Sequence, residues 1–177
     1  NMKHICIVML SAAALSGCVV APPLQPVWTP TQVDVTSSLV TGSVTPLCDS
    51  YSCKGFITNL KNNTSKPVEI DWNKSYYLRN GQTYGGLMTE GVVFAQRNDV
   101  RAPDMILGSG NYSKSMWPSN NMSLQLGTSQ VGWVTQGLYS GTHGIFLTIR
   151  QGQVEEQLVA QMKLHVDRQN PSPDGEQ

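Results

Sequence analysis

The sequence predicts an all-β fold: a single antiparallel β-sandwich, with a small β-barrel as the runner-up. Three observations carry this prediction. First, roughly eight to ten short β-like runs recur at spacings near ten residues, each bounded by turn residues, which is the rhythm of sandwiches and barrels. Second, charged residues make up only 14% of the chain while Asn, Gln, Ser, Thr and Gly are plentiful. That balance suits an uncharged polar surface over strands better than a helical bundle rich in Glu, Lys and Ala. Third, only residues 154–166 could pass for a helix. Leu158, Met162 and Val166 fall at helical spacing, but Leu158, Ala160, Met162, Leu164 and Val166 also alternate without a break, and pairing with the run before them favours a strand.

The elements follow in order. Val33-Asp34-Val35-Thr36 alternates. Gly55 to Leu60 is β-like and runs into a turn-rich break at Lys61-Asn62-Asn63-Thr64-Ser65-Lys66-Pro67. Val68-Glu69-Ile70-Asp71-Trp72 alternates again and places Val68, Ile70 and Trp72 on one face, so Trp72 is expected in the core. Tyr76-Tyr77-Leu78 precedes Asn80-Gly81, a two-residue hairpin signal. Further strands are expected at Met88–Phe94, Asp104–Leu107, Tyr112–Trp117, Met122–Leu126 and Val131–Thr135. The clearest hairpin is the last: Gly144 to Arg150, the turn Gln151-Gly152-Gln153, then Val154 to Val166.

The 177 residues suffice for one ordinary domain with its own core. Lys+Arg and Asp+Glu both number 12, and no basic block appears, which argues against nucleic acid as a partner.

Residues 1–17 read as a signal peptide. Lys3 and His4 give a weakly basic start, and Ile5 to Leu15 is an apolar run too short to span a bilayer. Leu15-Ser16-Gly17-Cys18 resembles the lipobox of bacterial lipoproteins. The resemblance implies that the Cys18 thiol receives a diacylglycerol, that cleavage precedes Cys18, and that an acyl chain such as palmitate joins the new amine. Each buried CH₂ contributes about 0.8 kcal/mol, so two or three chains anchor firmly where one is marginal. In enteric-type lipoproteins an Asp after the cysteine marks inner-membrane retention. Val19 stands there in this chain, which implies a lipid-anchored protein of the outer membrane, facing the periplasm.

Residues 18–32 form the lipidated cysteine and a proline-rich tether, VVAPPLQPVWTPTQ after Cys18, expected as extended polyproline II. Trp28 within it is expected to pack on the domain or touch the membrane interface. Residues 33–166 are the β-domain, and 167–177 read as a disordered tail. Phe56 to Ile70, a strand ending in an Asn-x-Ser/Thr turn followed by a strand that begins with Pro, loosely resembles immunoglobulin-like envelope domains. The resemblance implies an immunoglobulin-like sandwich.

Of four cysteines, Cys6 leaves with the signal peptide and Cys18 carries lipid. Cys48 and Cys53 remain, and in an oxidising compartment they read as a disulfide. So small a ring stabilises by about 2 kcal/mol. A redox pair or metal site is the rival, but the four-residue gap lacks thioredoxin-like spacing and no histidine is near in sequence.

Catalytic patterns are wanting. His143, in Ser140-Gly141-Thr142-His143-Gly144, is expected as an exposed turn histidine with no positioned nucleophile. Glu69 and Asp71 share a strand face, with Glu90 a potential opposite carboxylate, but alternation marks that face as solvated. No metal site, phosphate loop or dinucleotide motif appears, and no cofactor is expected. Aromatic residues are the better signal. Tyr77 and Tyr84 are expected as an exposed pair, the latter on a flexible 80–86 loop, and with Trp117 they form the candidate binding set. The expected function is a non-enzymatic binding or structural module that contacts an envelope protein, for instance as an accessory subunit of a secretion or assembly complex. The alternative is an inhibitor or exclusion factor aimed at an incoming hydrolase, phage or conjugating partner. An envelope hydrolase is the third reading, weakened by the missing catalytic cluster.

Overall fold

Alternation in the sequence becomes alternation of burial. In the strand 154–163, Leu158, Ala160 and Met162 are buried while Val159, Gln161 and Lys163 are exposed. The computed structural model describes residues 25–126, 131–138 and 141–169; Cys18, the expected signal peptide and residues 170–177 lie outside them. The strands are β1 (Gln25–Thr29), β2 (Val33–Thr36), β3 (Val40–Cys48), β4 (Cys53–Asn62), β5 (Val68–Arg79), β6 (Gln82–Thr89), β7 (Asp104–Ile106), β8 (Asn111–Pro118), β9 (Met122–Leu126), β10 (Val131–Thr135), β11 (Thr142–Gln151), β12 (Val154–Lys163) and β13 (His165–Gln169). Among the described residues there is no α-helix, only 3-10 turns at Phe94–Gln96 and Ser119–Asn121.

Nine strands form one antiparallel sheet in the order β12-β11-β5-β6-β8-β4-β3-β2, with β7 added to β5. β6 turns the corner: its first half pairs with β5, from Arg79↔Gln82 to Tyr76↔Gly86, and its second half pairs with β8, from Leu87↔Pro118 to Thr89↔Met116. The sheet thereby curls until its end strands, β12 and β2, lie side by side. Glu156 closes that seam by accepting hydrogen bonds from the Ser38 hydroxyl and, at 3.3 Å, the Leu39 N–H. The all-β class holds, and the sheet is nearly closed like a barrel. Val40, Val44, Phe56, Ile70, Met116 and Ile149 fill its interior.

Two two-stranded ribbons stand apart from the main sheet, β1 with β13 and β9 with β10. The first corrects the expected boundaries. Residues 25–29 of the expected tether and 167–169 of the expected tail pair as strand, Gln25↔Gln169 to Thr29↔His165.

Three other differences have local causes. β3 went unread because Gly42 and Pro46 break its β-pattern. Gly42 sits where any Cβ would collide with the Asn59 carbonyl, and Pro46 lies beyond the stretch of β3 that pairs with β2, where a missing N–H costs little. The 80–86 segment is a tight turn and strand, not a flexible loop. Asn80 and Gly81 both take positive φ, 50° and 78°, as a two-residue primed turn requires, and pairing starts at once. The strand expected over 88–94 ends at Thr89, because Gly91 turns the chain at φ 87° and Phe94 starts a 3-10 turn.

Candidate functional site

Strand parity decides where the expected site residues fall. In β5, Val68, Ile70 and Trp72 point inward. Asp71 pairs with Thr148 of β11 and Tyr76 pairs with Phe146, so four residues, 72–75, face a single residue of β11. The Ser75 hydroxyl donates to the Asp71 carbonyl at 2.7 Å and accepts the Thr148 N–H at 3.1 Å, which fixes this wide bulge. Past it the parity is inverted, with Tyr77 inside and Tyr76 outside.

Tyr77 is therefore no surface residue. It is 1% exposed, and its hydroxyl lies 2.6 Å from His143 Nδ1. His143 is corrected too: it is 1% exposed within β11, on the same face as Ile145, and not at a turn. Tyr84 stays at the surface with its ring edge-on to Tyr77, 6.1 Å between centroids, and the Arg79 guanidinium over it at 5.3 Å. Trp117 is half-buried across Gly55. Of the three expected binding aromatics, only Tyr84 keeps the exposure required. Trp72 is buried, as expected.

Burial pushes the Tyr77 phenol up from 10.0 to about 12. A group raised in this way favours the fold while protonated. Its contribution is complete below pH 10 and is lost as pH rises through 12. Tyr77→Phe is expected to flatten the fall in stability over that window, measured by urea unfolding at stepped pH. An unchanged slope would mean that Tyr77 is not the group responsible.

The acidic face is solvated only in part: Glu69 stays partly exposed while Asp71 is buried. Glu69 and Asp71 both engage Arg150, at 3.3 and 3.5 Å, and Asp71 is only 6% exposed. Glu90 lies elsewhere, lining a hollow with Thr89, Asp104 and Lys114. Among the described residues no cluster of three or more His, Cys, Asp or Glu could hold a metal.

Two other features present chemistry to solvent. One is the β3–β4 hairpin tip, closed by the Cys48–Cys53 disulfide. Inside that ring Asp49 Oδ1 accepts the N–H groups of Tyr51 and Ser52, both at 2.8 Å, and Asp49 pairs with Lys54 at 2.8 Å. Those contacts, the Lys54 hydrogen bond foremost, hold the Asp49 carboxyl at about 2. From outside, Trp28 Nε1 donates to the Asp49 carbonyl at 2.8 Å. The braced loop holds Tyr51 out, 91% exposed.

The other feature is a cleft of about 340 Å³ between the β5 bulge and the loop after the 3-10 turn at 94–96. The Asn73 side chain clamps that loop, donating to the Arg101 carbonyl at 2.8 Å and accepting the Arg101 N–H at 3.0 Å. The Arg101 guanidinium lies 5.1 Å from the Trp72 ring and donates to the Leu87 carbonyl at 2.5 Å and to Thr89 Oγ1 at 3.2 Å. Arg97 stacks on Phe94 at 4.0 Å. Behind the cleft, Asp104 accepts hydrogen bonds from Lys114 at 2.7 Å and Tyr112 at 2.8 Å. Burial pushes its carboxyl up, but these partners outweigh burial and hold it below the usual value.

Sequence reasoning passed over Tyr51, Arg97 and Arg101. The available signals were a tyrosine between the two bridging cysteines and two arginines four apart in a chain poor in charge. Compared with family models, curated proteins and solved structures, the chain matches none.

Proposed function

We propose that the chain is a non-enzymatic binding module of the cell envelope, anchored by lipid on Cys18 and facing the periplasm from the outer membrane. In this reading it contacts an envelope protein as an accessory subunit of a larger assembly. The observation that carries the protein-contact part is the braced loop at Tyr51. An exposed tyrosine is normally free to move, and binding must then freeze it at about 0.5–1.5 kcal/mol for a mobile side chain and its loop. Here a disulfide, two hydrogen bonds to Asp49 and the Trp28 brace order the backbone in advance. Tyr is also among the residues that concentrate binding energy at protein interfaces. The anchor part rests on Leu15-Ser16-Gly17-Cys18.

Both parts are tested in the full chain. Cys18→Ser is expected to move the protein from the membrane to the soluble periplasmic fraction, still folded. Firm membrane retention with normal processing would refute the anchor. A photo-crosslinking residue at position 51 is expected to give one dominant protein adduct, absent when placed at the equally exposed Val100. Adduct formation at neither position, or equally at both, refutes the Tyr51 contact. An incoming hydrolase in the adduct, instead of a resident envelope protein, would move the assignment to an inhibitor.

A further inference from the structure

We infer that the cleft between the β5 bulge and the Arg97–Arg101 loop is a binding site for an oxyanion, a carboxylate or phosphate group borne on a small ligand. The inference stands apart from the function proposed above, since neither the lipid anchor nor the Tyr51 loop enters it.

The charges argue first. Lys54, Lys74, Lys114 and Arg150 each have a carboxylate partner within 4 Å. Arg97 and Arg101 line one cleft, and neither has such a partner among the described residues. Asp99 stands two residues from each and pairs with neither. Burial outweighs the nearby Asp104 carboxylate and disfavours the Arg101 charge, and Asp104 is itself engaged by Lys114 and Tyr112, so an anion entering the cleft supplies the close charged partner that neither guanidinium has.

The geometry argues second. Both guanidinium groups are already held against rings, Arg101 on Trp72 and Arg97 on Phe94. Stacking immobilises the planar group by its face and leaves in-plane N–H donors for a ligand. Arg101 donates to Leu87 and Thr89 and Arg97 to the Phe94 carbonyl at 3.2 Å, a minority of the five N–H groups each guanidinium carries. Planar, bidentate donation is the geometry that carboxylate and phosphate accept best. Size argues third. A cleft of about 340 Å³ is at the lower end of small-molecule sites, and it admits a group the size of one amino acid or sugar. Tyr76, 36% exposed on the cleft wall, offers an apolar edge for the rest of the ligand.

The test is an NMR titration of the intact, detergent-solubilised chain with inorganic phosphate and, separately, with acetate, each against chloride at equal ionic strength. Saturable shifts are expected at the Arg97 and Arg101 Nε–H and at the Trp72 indole N–H. The anion that binds tighter identifies the ligand group as phosphate or carboxylate. Arg101 also holds the loop in place, so the variant to use is Arg97→Gln, expected to weaken binding about tenfold, as for loss of one charge-assisted hydrogen bond. Asp99→Asn is expected to tighten binding by removing a repelling carboxylate. Shifts no larger than with chloride, or an affinity unchanged in Arg97→Gln with the fold intact, would overturn the site.

Discussion

Asn62→Ala is expected to destabilise the protein by about 3–4 kcal/mol, far more than its single polar side chain suggests. Asn62 is fully buried at the end of β4. Its Nδ2 lies 2.8 Å from the Lys66 carbonyl, 3.0 Å from that of Ile106 and 3.1 Å from that of Leu107. Its Oδ1 accepts the Thr64 N–H at 2.8 Å and the Thr64 hydroxyl at 2.9 Å. One amide therefore ties the β4–β5 turn to the strand β7 that borders β5. Alanine removes all of these bonds at once, and each buried group left unpaired costs about 1–3 kcal/mol. The chain relaxes at the exposed Lys66 end, which keeps the total below the simple sum. Asn63→Ala is the control: that neighbour is exposed and its side-chain oxygen accepts from the Thr41 hydroxyl at 3.0 Å, while its N–H bond to the Leu39 carbonyl survives the substitution, so a loss under about 0.5 kcal/mol is expected. Asn62→Asp discriminates further, because it keeps the Thr64 contacts but turns a carboxylate toward three carbonyl oxygens. Urea unfolding reads all three. An Asn62→Ala loss close to that of Asn63→Ala would show that the amide does not organise this turn.

Asn62 also marks what could be read in advance. The turn from Lys61 to Pro67 was legible because Asn, Thr, Ser and Pro close turns through their own side chains, and both clear hairpins were legible because primed turns need Asn-Gly or Gly at set positions. What failed was parity beyond an irregularity. Nothing in Asp71-Trp72-Asn73-Lys74-Ser75-Tyr76 announces a four-residue bulge, since the Ser75 hydroxyl acts through Thr148, 73 residues away. Without the bulge the alternation puts Tyr76 inside and Tyr77 outside; with it the two exchange places, and the expected binding pair loses a member. β1 and β13 were missed for a related reason. Gln25-Pro26-Val27-Trp28-Thr29 has little strand character alone, and its pairing with 165–169 joins opposite ends of the chain.

The candidate site divides along the same line. The Cys48–Cys53 bridge was legible by elimination among the cysteines, but its use in holding Tyr51 outward depends on Asp49, Lys54 and Trp28 converging on one turn. The cleft was not legible at all. Arg97 and Arg101 acquire meaning only once the bulge carries Trp72 and Asn73 to meet them. An irregularity that hid two aromatic positions is thus the same one that builds the cleft.

Phe56→Ala is expected to cost about 3–5 kcal/mol, through lost burial and the cavity left behind. Phe56 is fully buried on β4, its strand neighbours Pro46 and Met116. Its ring lies 6.4 Å from that of Tyr77, which in turn stacks on His143 at 6.1 Å. The void would open beneath this buried polar pair, so its walls collapse only if the Tyr77 hydroxyl leaves His143 Nδ1. Tyr77→Phe takes away the same hydroxyl without making a void and is expected to cost less, about 1–2 kcal/mol. The double variant separates the two effects. If the Phe56 cavity is relieved by movement of Tyr77, the combined loss falls short of the sum of the single losses by about 0.5 kcal/mol or more. Strict additivity would mean that the Tyr77–His143 pair holds its place whatever happens below it. A Tyr77→Phe loss as large as that of Phe56→Ala would make the polar pair, and not the packing, the stronger constraint on this end of the sheet.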